Sequence, residues 1–113
     1  MTIITSFSRI AHACSVKTSI GGGINFFDTA DNYTKGEGEK ILGQSLKNLN
    51  ITRPDVVIAT KVYSRVGPGR NDIGASRGHI MDGVEASLRR LQTDHIDLIN
   101  LHGSKPGGSI AVP

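Results

Sequence analysis

The chain has 113 residues, 37% of them hydrophobic and 20% charged, with a net charge of +3 and a pI near 9.3. That length supports one domain at most and is short of a closed (β/α)8 barrel, which takes about 250 residues. Scattered basic residues with no Lys/Arg run argue against nucleic-acid binding, and no apolar run approaches the roughly 18 residues of a membrane span. The single cysteine, Cys14, cannot make an internal disulfide and fits a reducing cytoplasm. Arg9 inside the N-terminal apolar stretch, with no cleavage site after it, argues against a signal peptide.

Residues 1–22 form an unassigned N-terminal segment. A strand over residues 3–7 and a weak helix over 10–16 are the elements it suggests before Gly21-Gly22-Gly23. His12 and Cys14 lack the second pair that a zinc site needs, so no metal site is expected. From residue 23 the pattern is orderly. Gly23-Ile24-Asn25-Phe26-Phe27 reads as a short buried strand that stops at Asp28, and Tyr33 follows in the loop. Gly36-Glu37-Gly38-Glu39 then leads into a helix whose apolar positions 42, 46 and 49 share one stripe, with Asn48, Asn50 and Pro54 marking its stop. Residues 55–62 are a nearly continuous β-branched run, expected for a parallel strand covered on both faces. A glycine-rich loop over residues 64–75 follows. Its Gly67-Pro68-Gly69 fits no phosphate-loop pattern and reads as ordinary turns.

Ser76 is a good N-cap for a helix over residues 77–92 with Ile80, Val84, Leu88 and Leu91 on one face. Arg89 and Arg90 read as the solvated side of that helix, and His79 and His95 as solvated or capping residues. Residues 96–101 form the third strand, which ends at His102, and 104–113 form a flexible tail. The order β-α-β-α-β predicts an α/β fold with parallel strands and right-handed crossovers.

In parallel α/β folds the working groups lie outside the carboxyl ends of the strands. Asp28, Lys61 and His102 occupy three successive strand ends, with Tyr33 just beyond the first. A free tyrosine, with a pKa near 10, is a poor acid at neutral pH. A neighbouring lysine ammonium favours the phenolate and makes proton donation easier, and a carboxylate keeps the lysine charged and oriented. A histidine can direct a substrate oxygen or relay its proton.

Gly23-Ile24-Asn25-Phe26-Phe27-Asp28-Thr29-Ala30-Asp31-Asn32-Tyr33 resembles the aldo-keto reductase signature, as does the Gly-Glu…Leu-Gly pattern over residues 36–46. Ile58-Ala59-Thr60-Lys61-Val62 is similar to that family's lysine strand. Glu85-Ala86-Ser87-Leu88-Arg89-Arg90-Leu91, Asp94-His95-Ile96-Asp97-Leu98 and Leu101-His102 are similar to the helix and strand leading to its histidine. The resemblance covers residues 23–103, strands 2 to 4 of the family fold, and is nearest to aryl-alcohol-dehydrogenase-like bacterial members. It implies an incomplete (β/α)8 TIM barrel and NADPH-dependent reduction of small carbonyl substrates, aldehydes and ketones, to alcohols. By motif, Tyr33 would be the general acid, Lys61 its activator, Asp28 the partner of Lys61 and a cofactor contact, and His102 the group orienting the carbonyl. Residues 1–22 resemble neither the first strand nor the first helix of that fold, and the half of the barrel that grips most of the cofactor is missing. The expectation is a truncated barrel with open sheet edges, inactive alone or completed by a complementary fragment. The alternative is a non-catalytic interaction module.

Overall fold

The computed structural model describes the backbone of residues 2–3 and 9–101, and side chains from residue 14 onward within that range. Four strands, β1 (Thr2–Ile3), β2 (Phe26–Asp28), β3 (Val57–Val62) and β4 (Leu98–Leu101), form one parallel sheet in chain order. Three helices connect them: α1 (Arg9–Gly21), α2 (Glu37–Asn48) and α3 (Arg77–Leu91). The expected α/β architecture with parallel strands is therefore present. The N-terminal segment carries more structure than its sequence suggests, with a helix of 13 residues and a strand paired to β2. The tail, residues 104–113, and His102 lie outside the described residues.

Strand pairing decides which side chains share a face. In register, Asp28 pairs with Ala59, Ala59 with Leu98 and Lys61 with Asn100. Side chains alternate along a strand, so Asp28, Ala59, Lys61, Leu98 and Asn100 stand on one face of the sheet. Phe27, Ile58, Thr60 and Val62 stand on the other and are almost completely buried. There the helices pack, and Val16, Phe27, Leu42, Leu46, Val56, Ile58 and Leu91 form the core. Burying a side chain of this size contributes roughly 1.5–3 kcal/mol.

Close approach of α2 to α3 rests on Gly43, where a Cβ would stand 2.3 Å from the Leu91 carbonyl oxygen. Ser76 caps α3 as expected, its Oγ accepting from the His79 N–H at 3.1 Å. The loop after β3 is an ordinary turn assembly: Asp72 Oδ2 accepts from the Gly69 N–H at 2.7 Å, and Arg65 donates to the carbonyls of Gly67 and Gly69. Among the described residues, strand β4 is an edge of the sheet. Leu98 and Leu101 point to opposite faces and are 43% and 41% exposed. No helix among the described residues is long and apolar enough to cross a membrane.

Candidate active site

The pairing of β2 with β3 runs past the end of β2. The Thr29 N–H donates to Ala59 O at 2.9 Å and the Asp31 N–H to Lys61 O at 3.1 Å. This zip of backbone bonds holds the turn after β2 against the end of β3 and brings Asp28, Tyr33 and Lys61 together. Lys61 Nζ donates to Asp28 Oδ2 at 2.7 Å, to Thr29 O at 3.0 Å and to Tyr33 OH at 3.4 Å. It also lies 5.1 Å from the centroid of the Tyr33 ring. All three ammonium protons therefore have oxygen acceptors. The pair is mostly withdrawn from water, with each side chain 14% exposed. The phenolic oxygen accepts from Lys61, and a phenol can donate its own O–H as well.

Three of the four sequence-predicted residues thus converge at one point, and the fourth, His102, is not described. Asp28 Oδ1 is buried and has no hydrogen-bond partner, although its sister oxygen is fully engaged. An acceptor left in that state is open to a hydrogen-bond donor from a ligand.

Beside this corner lies a polar network that the sequence does not advertise. Glu39, in the first turn of α2, is completely buried; its Oε1 accepts from Thr60 Oγ1 at 2.6 Å and its Oε2 from Arg90 Nε at 2.5 Å. Arg90 is therefore not on a solvated face. It reaches inward over Gly36, where a Cβ would stand 2.8 Å from its Cδ. His79 is likewise buried, at 5% exposure, while His95 is exposed as expected and pairs with Asp94. Asp31, at 4% exposure, has no well-formed hydrogen bond at either carboxylate oxygen among the described residues. Burial first, and Glu39 second, push its pKa up to about 6 against the opposing pull of Arg90, His79 and the nearby Asn32 N–H, which stands too poorly placed to count as a full hydrogen bond. The signal for Glu39 and Arg90 was weak: two charged residues 51 apart, with no pattern to pair them.

The Aldo/keto reductase family model matches residues 6–109. The chain belongs to the aldo/keto reductase family. Among curated relatives, a "Probable voltage-gated potassium channel subunit beta" of Arabidopsis thaliana is 48% identical over 80 residues, 71% of this chain and 24% of that protein. An aldo-keto reductase of Alternaria alternata is 37% identical, covering 77% of this chain and 30% of that protein. A solved aldo-keto reductase of Bacillus halodurans in its holo form superposes with a TM-score of 0.76 at 36% identity, over 90% of this chain and 34% of that one. The chain thus spans about a quarter of the length of the curated relatives it matches and forms an incomplete part of the aldo/keto reductase TIM barrel. The family match begins at residue 6, so it includes the helix α1 that its own sequence hardly announces.

Proposed function

We propose that this chain carries the acid half of an NADPH-dependent carbonyl reduction, converting an aldehyde or ketone to an alcohol. The observation that carries the reading is the Lys61 ammonium held between Asp28 Oδ2 at 2.7 Å and Tyr33 OH at 3.4 Å. Tyr33 donates its proton to the carbonyl oxygen as negative charge develops there. Lys61, locked by Asp28 and the Thr29 carbonyl, stabilises the phenolate left behind. His102, by resemblance, orients the same oxygen. A reduced nicotinamide, when bound, supplies the hydride that the carbonyl carbon accepts. Asp28 Oδ1, buried and unpartnered, is the described atom best suited to hold its ribose.

The test is NADPH titration of the chain followed by nicotinamide fluorescence, then NADPH oxidation with an aromatic aldehyde. Expected are saturable binding, turnover, and a loss of about 10²–10⁴-fold in turnover for Tyr33→Phe with binding nearly unchanged. Full turnover by Tyr33→Phe removes Tyr33 from the acid role. A second reading, an interaction module docking on a complementary barrel segment, draws on the uncovered β4 with exposed Leu98 and Leu101. It gains weight from relatives whose names are those of channel beta subunits. NADPH binding separates the two: the module reading expects none.

A further inference from the structure

A cavity of about 560 Å³ lies between the turn after β2, the loop after β3 and helix α3. Asp28, Tyr33 and Lys61 do not line it. Its volume falls in the range of small-molecule sites. Asp31, Asn32 and His79 line it, and four of their atoms are buried without a hydrogen-bond partner: Asp31 Oδ1 and Oδ2, Asn32 Oδ1 and His79 Nε2. Three of the four are oxygens that can accept but not donate. Burying a carboxylate with neither oxygen satisfied is costly, so its persistence points to a donor-rich occupant.

The surrounding charges narrow the choice. Lys35 lines the cavity from the turn after β2, Arg65 and Asp72 from the loop after β3, and Asp82 and Arg90 from α3. Arg90 is already neutralised by Glu39, which faces Asp31 from α2. The remaining carboxylates, Asp31, Asp72 and Asp82, outnumber Lys35 and Arg65 by one. No group of three metal-ligating side chains occurs among the described residues. Val66 and Ala86 add apolar wall.

We propose that this cavity is a binding site for a small organic ammonium ion, its N–H groups donating to Asp31 and Asn32 and its alkyl stem lying against Val66 and Ala86. His79 Nε2, buried without a hydrogen-bond partner among the described residues, lines the same cavity. The site is separate from the reductase corner and stands whether or not that corner turns over a carbonyl.

n-Butylammonium chloride is the probe, titrated into the full chain by calorimetry at pH 7.5, with n-butanol as the neutral isostere. Expected are saturable binding of butylammonium at least tenfold tighter than butanol, at least tenfold weakening by Asp31→Asn, and no change in Tyr33→Phe. In the unaltered protein, binding at pH 5 is expected to weaken at least threefold, because protonating Asp31 removes the charge that attracts the ion. This second measurement decides the matter if Asp31→Asn does not fold. Equal binding of butanol, binding that ignores both Asp31→Asn and pH, or no saturable binding at all would overturn the assignment.

Discussion

Replacing Arg90 by methionine is expected to destabilise the chain far more than an ordinary helix-surface substitution. Glu39 is completely buried, and its carboxylate rests on two donors, Thr60 Oγ1 and Arg90 Nε. Methionine fills the space of the arginine stem but leaves one carboxylate oxygen bare beside Asp31. Removing one partner of a buried ion pair costs about 3–5 kcal/mol, because the surviving charge stays buried and uncompensated. With a urea m-value of about 1–3 kcal/mol/M for a small protein, the midpoint should fall by 1 M or more, or the variant should be unfolded without denaturant. The double variant Glu39→Leu/Arg90→Met removes both charges, leaves the Thr60 and Ser87 hydroxyls to find new partners, and should recover most of that loss. Urea unfolding followed by far-UV circular dichroism reads all three proteins. A midpoint for Arg90→Met equivalent to a change within ±0.5 kcal/mol, the usual range for surface sites, would refute the inward-facing role of Arg90.

Three further outcomes follow from the same packing. Gly43→Ala should cost at least the 1–3 kcal/mol typical of overpacking, since its Cβ would meet the Leu91 carbonyl oxygen at 2.3 Å and backbone cannot step aside as a side chain can; an unchanged urea midpoint would show that α2 and α3 are further apart. Arg53 donates to Val56 O, His95 O, Thr93 Oγ1 and Asp97 Oδ2, tying the entry of β3 to that of β4, so Arg53→Met should lose about 2 kcal/mol on the same assay. The pH dependence should have two parts. The Asp31 pKa is raised in the fold from 3.8 to about 6, so the folded chain holds a proton that the unfolded chain releases, and stability should fall as pH rises from about 4 to 6. Burial opposes ionisation of Asp97, but the Ile58 N–H and Arg53 outweigh it and hold its pKa below 3.8, so its contribution should be lost only under stronger acid. Asp31→Asn should flatten the first limb and leave the second.

Local chemistry made most of the sheet legible. The run of β-branched residues before Lys61, the apolar stripe of α2 and the Ser76 cap are each signals within one element, and the structure bears them out. The corner of Asp28, Tyr33 and Lys61 was legible for a different reason: consecutive parallel strands present their carboxyl ends side by side, so residues at successive strand ends must meet. Helix α1 was read too short because only Val16 is a fully buried apolar residue in its described part, and such a helix has little periodicity to show. Arg90 and His79 read as solvated, and the burial of Glu39 left no trace, because burial of a charged or polar residue depends on partners from distant elements, which no local period encodes. Glycines would have been the better hint, since Gly36 and Gly43 mark where an arginine and a neighbouring helix come close.

The geometry of the corner and its electrostatic strength have separate physical origins. Backbone pairing of β2 with β3 fixes the geometry, so Asp28, Tyr33 and Lys61 meet without help from any further strand. Strength depends on exclusion of water, because the interaction of an ammonium with a developing oxyanion falls several-fold between a protein interior and bulk solvent. Asp28 and Lys61 stand on the same face as Leu98, which remains 43% exposed on the uncovered strand β4. Covering that face would therefore deepen the electrostatic effect of Lys61 on Tyr33 without moving either residue. A complementary segment docking along β4 should raise turnover chiefly through kcat, with the Lys61–Asp28 contact already in place beforehand.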